Sequence, residues 1–344
     1  MSTTPLRVFG ESDGDVRALE KRTVAFIGYG NQGRAQARNL RDSLRDASVS
    51  CEIVVATLPD RTSNDAQSDG FPLRPVEDAT KAADVLFLLV PDEDLPEIFR
   101  AQIAPQLSAN DTLVVASGYN LTYKEIDIPS NVDVVLLAPR MIGQKVRELF
   151  ERGAGFYSYV SVEQDASGNA WQTVLALAKG IGTLRIGAIE LSANDETVID
   201  LLMEQGFGAI LGSLVFQTLA SGIGAGLPPE ALVLELYLSG EMAGTFEAMA
   251  ELGFADQARL HSRTSQYGGM TRSIALDREP MRTHLQKVID ELRDGTFARE
   301  WATERAAGGK NFEQLRALAG AANPFSPIEA RLREALRKAQ ERKR

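Results

Sequence analysis

The chain has 344 residues, 44% hydrophobic and 24% charged, which is enough apolar material for folded cores and a length that predicts two domains. Its formal net charge of −10 argues against a nucleic-acid surface, since phosphate binding needs clustered Lys and Arg. A single cysteine, Cys51, forms no internal disulfide, no secretory signal pattern opens the sequence, and the longest unbroken hydrophobic run, Val85 to Val90, suits a buried strand rather than a bilayer span, so a cytoplasmic protein with no membrane or nucleic-acid partner is expected.

In chain order, Val24-Ala-Phe-Ile27 is a short apolar run. A glycine-rich turn follows, and then a polar, alanine-containing segment from Gln32 to Leu44 with the character of a helix. The turn is Gly28-Tyr29-Gly30-Asn31-Gln32-Gly33, in the strand–turn–helix setting a dinucleotide fingerprint requires. The first glycine permits the tight turn, the second lets backbone approach a pyrophosphate, and the third allows close helix–strand packing. The helix start adds N–H groups and a positive dipole end. The second strand, Ile53 to Ala56, leads to Asp60-Arg61-Thr62-Ser63. A cation and two hydroxyls suit a 2′-phosphate, which favours NADPH and leaves NADH possible; the alternative is an ordinary polar loop.

Further β-like runs at Val85 to Val90, Thr112 to Ala116 and Val132 to Leu137 alternate with helix-length segments, which predicts a doubly wound parallel sheet with helices on both faces. From about Ala188 helices take over: Asp195 to Thr218, Pro229 to Leu252, Met281 to Asp294 and Ser326 to Lys343. The expected organisation is a Rossmann domain over 1–185, an all-α substrate and dimerisation domain over 186–330, and a basic helical tail over 331–344. No solenoid repeat or low-complexity linker interrupts it.

Ile27-Gly-Tyr-Gly-Asn-Gln-Gly-Arg-Ala-Gln-Ala-Arg-Asn-Leu-Arg-Asp-Ser43 resembles ketol-acid reductoisomerase. So do Asp69-Gly-Phe71, Leu89-Val-Pro-Asp92, Gly118-Tyr-Asn120, Glu196-Thr-Val-Ile-Asp-Leu-Leu-Met-Glu-Gln205, Gln266-Tyr-Gly268 and Pro327-Ile-Glu329, in order along nearly the whole chain. The resemblance implies a magnesium-dependent enzyme of branched-chain amino-acid synthesis. Such enzymes use two magnesium ions to drive an alkyl shift in an acetohydroxy acid, then reduce the resulting ketone with NADPH. The length is similar to that of the short class, which implies a knotted helical domain intertwined in a homodimer.

The resemblance makes Asp200, Glu204 and Glu241 metal ligands, Ser262 a contact to the substrate carboxylate, and Pro91 and Ser117 part of the cofactor site. Alone, Ser262 would be a helix cap and the i, i+4 acids a solvated face, although the sequence around Asp200 and Glu204 is too apolar for the latter. His261, His284, Trp171 and Trp301 are expected in packing or surface roles. Three family residues are replaced: the lysine after Ala-Pro is Arg140, a histidine is Ser117, and a glutamate is Tyr237, unless Glu235 takes its place at the cost of a Ser239 for Glu241. An arginine fixes a negative oxygen but does not shuttle a proton. The expectation is therefore an NAD(P)H-dependent reductase of a small C=O or C=N substrate, in secondary metabolism for instance, with Asp200, Glu204, Glu241, Arg140, Tyr237 and Ser262 as catalytic candidates and one magnesium or none at Asp200 and Glu204. The alternatives are a genuine ketol-acid reductoisomerase and a non-catalytic nucleotide-binding protein.

Overall fold

The structure, a computed structural model, describes residues 6–320 and 323–341; Arg342-Lys343-Arg344 of the expected basic tail lies outside them. Two compact units partition the chain, Met1–Ile199 and Asp200–Arg344.

The first unit is built on one eight-stranded sheet. Its strands are β1 (Val8–Phe9), β2 (Thr23–Ile27), β3 (Glu52–Ala56), β4 (Val85–Leu88), β5 (Thr112–Val115), β6 (Asp133–Pro139), β7 (Ser158–Gln164) and β8 (Ala188–Glu190), ordered β1-β8-β7-β6-β5-β4-β2-β3. β3, β2, β4, β5 and β6 run parallel, as the buried apolar runs require, whereas β7 pairs antiparallel with β6 and β1 antiparallel with β8. The sheet is thus mixed rather than wholly parallel. β7 breaks its apolar residues with Ser161 and ends on Glu163 and Gln164, so it escapes a search for apolar runs.

Alternate residues of each strand enter opposite layers. Val24, Phe26, Val85 and Phe87 pack with Ala37 and Leu40 of α1 (Asn31–Asp46), Val146 of α6 (Gly143–Glu151) and Val174 and Leu177 of α7 (Ala170–Ile181). Ala25, Ile27, Leu86 and Leu88 pack with Ala79 of α3 (Val76–Ala82) and with Leu95, Phe99 and Ile103. The two-residue period of the pleat, with helices on both faces, makes this a doubly wound unit. After β2 the chain steps to β3 on one side and returns to β4 on the other, so a topological switch point lies at the carboxyl end of β2.

The second unit contains no strand among its described residues. Helix runs from α8 (Ala193–Leu201) through a π-helical segment, Leu202–Phe207, into α9 (Gly208–Gly224). The expected helix over Pro229–Leu252 is broken into α10 (Pro229–Val233), a π segment Leu234–Leu238, and α11 (Glu241–Leu252). Gly240, at φ +84°, adopts a left-handed conformation that stops the helix. α12 (Arg263–Ala275), α13 (Glu279–Arg293), α14 (Thr296–Ala306), α15 (Lys310–Ala319) and α16 (Ser326–Glu341) follow. Leu219, Val233 and Phe325 form a small core, while Phe254 is 82% and Ile274 81% exposed. By length and composition alone Ala193–Gly224 is apolar enough to cross a membrane, unlike the short apolar runs of the first unit, and little of it is buried.

Candidate active site

A cleft of about 570 Å³ opens at the switch point and is lined mostly by residues at or just beyond the carboxyl ends of the strands. Gly28 to Gln32 follow β2, Thr57, Leu58, Asp60 and Thr62 follow β3, Leu89 to Asp92 follow β4, and Ala116 and Ser117 follow β5. A hollow of the same volume on α14 and α15, around Trp301 and Phe312, has no glycine-rich turn to meet a diphosphate.

The three fingerprint glycines have distinct surroundings. Gly28 sits at φ +104°, and a Cβ there would lie 2.5 Å from the Leu89 carbonyl oxygen. A Cβ at Gly33 would lie 2.3 Å from the carbonyl oxygen of Gly28, so α1 is pressed against the turn. At Gly30 a Cβ would meet nothing within 4 Å. That open space in front of the first turn of α1 is where a diphosphate belongs, and the residues fit a dinucleotide. By the same topology the adenine ribose belongs near Thr57–Thr62, and the Pro91–Ser117 end is left for the nicotinamide.

The other expected cofactor residues divide. Asn31 and Gln32 line the cleft, and Gln32 Nε2 donates to the Met141 carbonyl at 2.8 Å. The Tyr29 side chain turns inward, 2% exposed, and its hydroxyl donates to Asp69 Oδ2 at 3.0 Å, so only its backbone is placed to meet the dinucleotide. Asp69 also accepts from Arg34 Nε at 2.7 Å. Burial works to raise the Asp69 carboxyl, but the hydrogen bonds from Arg34 and Tyr29 and the charges of Arg34 and Arg38 outweigh it and hold the group below the usual carboxylate range. Burial, followed by the bond to Asp69, pushes the Tyr29 phenol upward. Thr62 and Pro91 line the cleft; Arg61 and Ser63 do not, and Arg61 is 87% exposed on its side chain.

A second cluster adjoins the cleft through the Ser117–Gly118 peptide. Glu196 of α8 has a side chain only 1% exposed, with Oε1 accepting from Arg140 Nη2 at 2.9 Å and Oε2 accepting from the Gly118 N–H at 2.8 Å. A buried carboxylate needs both partners, because an unpaired charge in such a place is strongly destabilising. Arg140 follows β6, keeps 24% side-chain exposure, and stacks over the Tyr159 ring at 5.0 Å. Ser117 Oγ lies 3.4 Å from Asp92 Oδ2, and Asn120 Nδ2 donates to Asp92 Oδ1 at 3.0 Å. Glu196 and Asp92 were missed as site residues in the sequence. The one available signal was that Glu196, Asp200 and Glu204 recur every four residues.

In the second unit the remaining candidates are scattered over several elements. Asp200 is half-buried at the end of α8, Glu204 is exposed in the π segment, and Glu241 is exposed at the start of α11. Among the described residues no three histidine, cysteine, aspartate or glutamate side chains gather into one metal-holding group. Tyr237 donates to Glu329 Oε1 at 2.5 Å beside the Leu219–Val233–Phe325 core, and burial followed by that bond raises its phenol to about 12. Ser262 caps α12, accepting from the Ser265 N–H at 3.2 Å.

Residues 18–187 match the family described as acetohydroxy acid isomeroreductase, NADPH-binding domain, and residues 194–338 match ketol-acid reductoisomerase, C-terminal domain. The chain is 37% identical to the putative ketol-acid reductoisomerase 3 of Saccharolobus solfataricus, over 89% of this chain and 92% of that protein. With the NADP(+) ketol-acid reductoisomerase of Methanocaldococcus jannaschii it shares 35% identity, over 91% and 93%. Among solved structures, an NADH-preferring ketol-acid reductoisomerase from an uncultured archaeon superposes with a TM-score of 0.86 at 29% identity, covering 95% of this chain and 98% of that one. A pyrroline-5-carboxylate reductase from Coxiella burnetii, at 15% identity, TM-score 0.54 and coverage of 80% and 98%, shares the fold alone.

Proposed function

Because the chain belongs to the ketol-acid reductoisomerase family, we propose that this NAD(P)H-dependent oxidoreductase reduces a small 2-keto acid whose negative oxygen is oriented by Arg140. The observation that carries this reading is the pairing of Arg140 with buried Glu196, which also accepts from the N–H of Gly118, the residue next to cleft-lining Ser117. When bound, the dinucleotide supplies the hydride. The protein's part is binding and orientation. The backbone of Gly28–Gln32 seats the diphosphate, Arg140 places a fixed positive charge against the substrate, and the Glu196 pair keeps the guanidinium plane from reorienting. The Ser117 hydroxyl, beside Asp92, is the group within the cleft suited to meet the developing alkoxide.

A second reading, that the chain also performs the alkyl migration of a genuine ketol-acid reductoisomerase, is favoured by the names of the relatives it matches at 35–37% identity. Purified protein with magnesium and either NADH or NADPH separates the two. Under the first reading the already rearranged 3-hydroxy-2-keto acid is reduced while 2-acetolactate is not, and Arg140→Ala abolishes the reduction. Turnover of 2-acetolactate at a comparable rate establishes the second, and inertness toward both substrates and toward cyclic imines overturns both.

The same proposal includes a cytoplasmic homodimer. The second unit leaves Phe246, Phe254, Leu260, Ile274 and Leu318 exposed, and Gln205 to Pro229 carries no charged residue. Apolar surface on this scale marks an interface, and a second copy of the chain is the occupant that the family resemblance favours.

A further inference from the structure

We propose that Gln32, in the dinucleotide turn, is a positioning residue for Arg140, an inference that rests on the reading of Arg140 as the cation that orients the substrate. Gln32 lines the cleft from the first turn of α1, and its carboxamide is engaged at both ends. Its Nε2 donates to the carbonyl of Met141, the residue that follows Arg140, at 2.8 Å. Its Oε1 accepts from Gln36 Nε2 at 3.1 Å, and the Gln36 side chain is buried. Gln36 therefore sets which way round the Gln32 amide lies, with the nitrogen toward the loop after β6.

That loop and the start of α1 also meet backbone to backbone. A Cβ at Gly143 would lie 2.3 Å from the Asn31 carbonyl oxygen and 2.8 Å from the Gln32 nitrogen, so only a glycine lets residues 140–143 press this closely on the turn. Further along, Arg147 Nη2 of α6 donates to Asp42 Oδ2 of α1 at 2.7 Å, which ties the two helices together behind the loop. On its other side the Arg140 N–H donates to the Tyr157 carbonyl at 2.8 Å. Glu196 thus holds the guanidinium, while Gln32 and Tyr157 hold the backbone from which it springs. Such fixation matters for a group that must meet a substrate oxygen, because a misplacement of about 1 Å can cost about a hundred-fold in rate.

Gln32→Met keeps the length of the side chain and the backbone N–H groups of the turn but loses the donor. Steady-state reduction of the 3-hydroxy-2-keto acid at saturating dinucleotide should then lose about ten-fold in kcat/KM, mostly through KM, while the dinucleotide Kd measured by calorimetry moves less than about three-fold. The loss should depend on the guanidinium. In an Arg140→Lys background, whose ammonium is a point charge with no plane to orient, adding Gln32→Met should cost no more than about two-fold. Gln36→Leu removes the group that orients Gln32, and since Gln36 Oε1 has no hydrogen-bond partner the leucine leaves no donor stranded; it supplies the same comparison, at about three-fold, should the Gln32 variant be unstable. Equal losses in the arginine and lysine backgrounds, a dinucleotide Kd that weakens as much as KM rises, or a kcat/KM unmoved in both glutamine variants would each overturn the proposal. A chain that binds the dinucleotide but is inert toward the keto acid before any substitution would sink the functional reading itself, and this inference with it.

Discussion

Asp69 shows how a residue outside the cleft supports it. Its carboxylate gathers Tyr29 from the fingerprint turn and Arg34 from α1, and its carbonyl accepts from Arg41, so the turn and the helix are fastened at one point. Because its folded pKa is depressed, its stabilising contribution is fully present above the unfolded carboxylate value and is lost as pH falls through the folded one. Asp69→Asn should therefore destabilise the first unit by about 1–3 kcal/mol at pH 7, measured by urea unfolding, with the deficit shrinking as the pH drops below about 4. A deficit independent of pH would show that packing, rather than the charge, is what Asp69 supplies.

The element on which binding depends is the turn between β2 and α1, where two glycines predict opposite outcomes. At Gly30 a side chain projects into open space, so Gly30→Val should fold with an unchanged thermal midpoint yet lose dinucleotide binding by about a hundred-fold or more. At Gly33 even one methyl group would press on the Gly28 carbonyl, so Gly33→Ala should lower the thermal midpoint as well as the affinity. Equal stability losses in both variants would contradict this division. The turn was legible in the sequence because the signal is local: glycines at fixed spacing between an apolar run and a helix. The break at Gly240 was not, since the apolar pattern continues on both sides of it and only the backbone reveals the left-handed residue.

At the scale of the whole molecule, the helical unit has too few buried side chains to account for its apolar content, with Leu219, Val233, Val288, Leu292, Ala298 and Phe325 as its buried hydrophobics among the described residues. Light scattering on the purified protein should give about twice the 37.4 kDa chain mass, and Ile274→Asp combined with Phe254→Asp should raise the monomer fraction. A stable 37.4 kDa species at micromolar concentration would remove the dimer from the proposal.

By itself the sequence determined the doubly wound first half, the dinucleotide turn, the helical second half and the family, because apolar runs, glycine spacing and ordered motifs are properties of neighbouring residues. Tertiary structure decided which charged groups count. Glu196 and Arg140 become one unit only when α8 packs beside the end of β6, and Tyr237 is engaged only when α16 brings Glu329 to it. Asp60 and Arg61 are adjacent in the chain, yet one faces the cleft and the other the solvent. Burial and hydrogen-bond partners come from residues far apart in the chain or from the direction of a single side chain, and neither quantity is written in local composition.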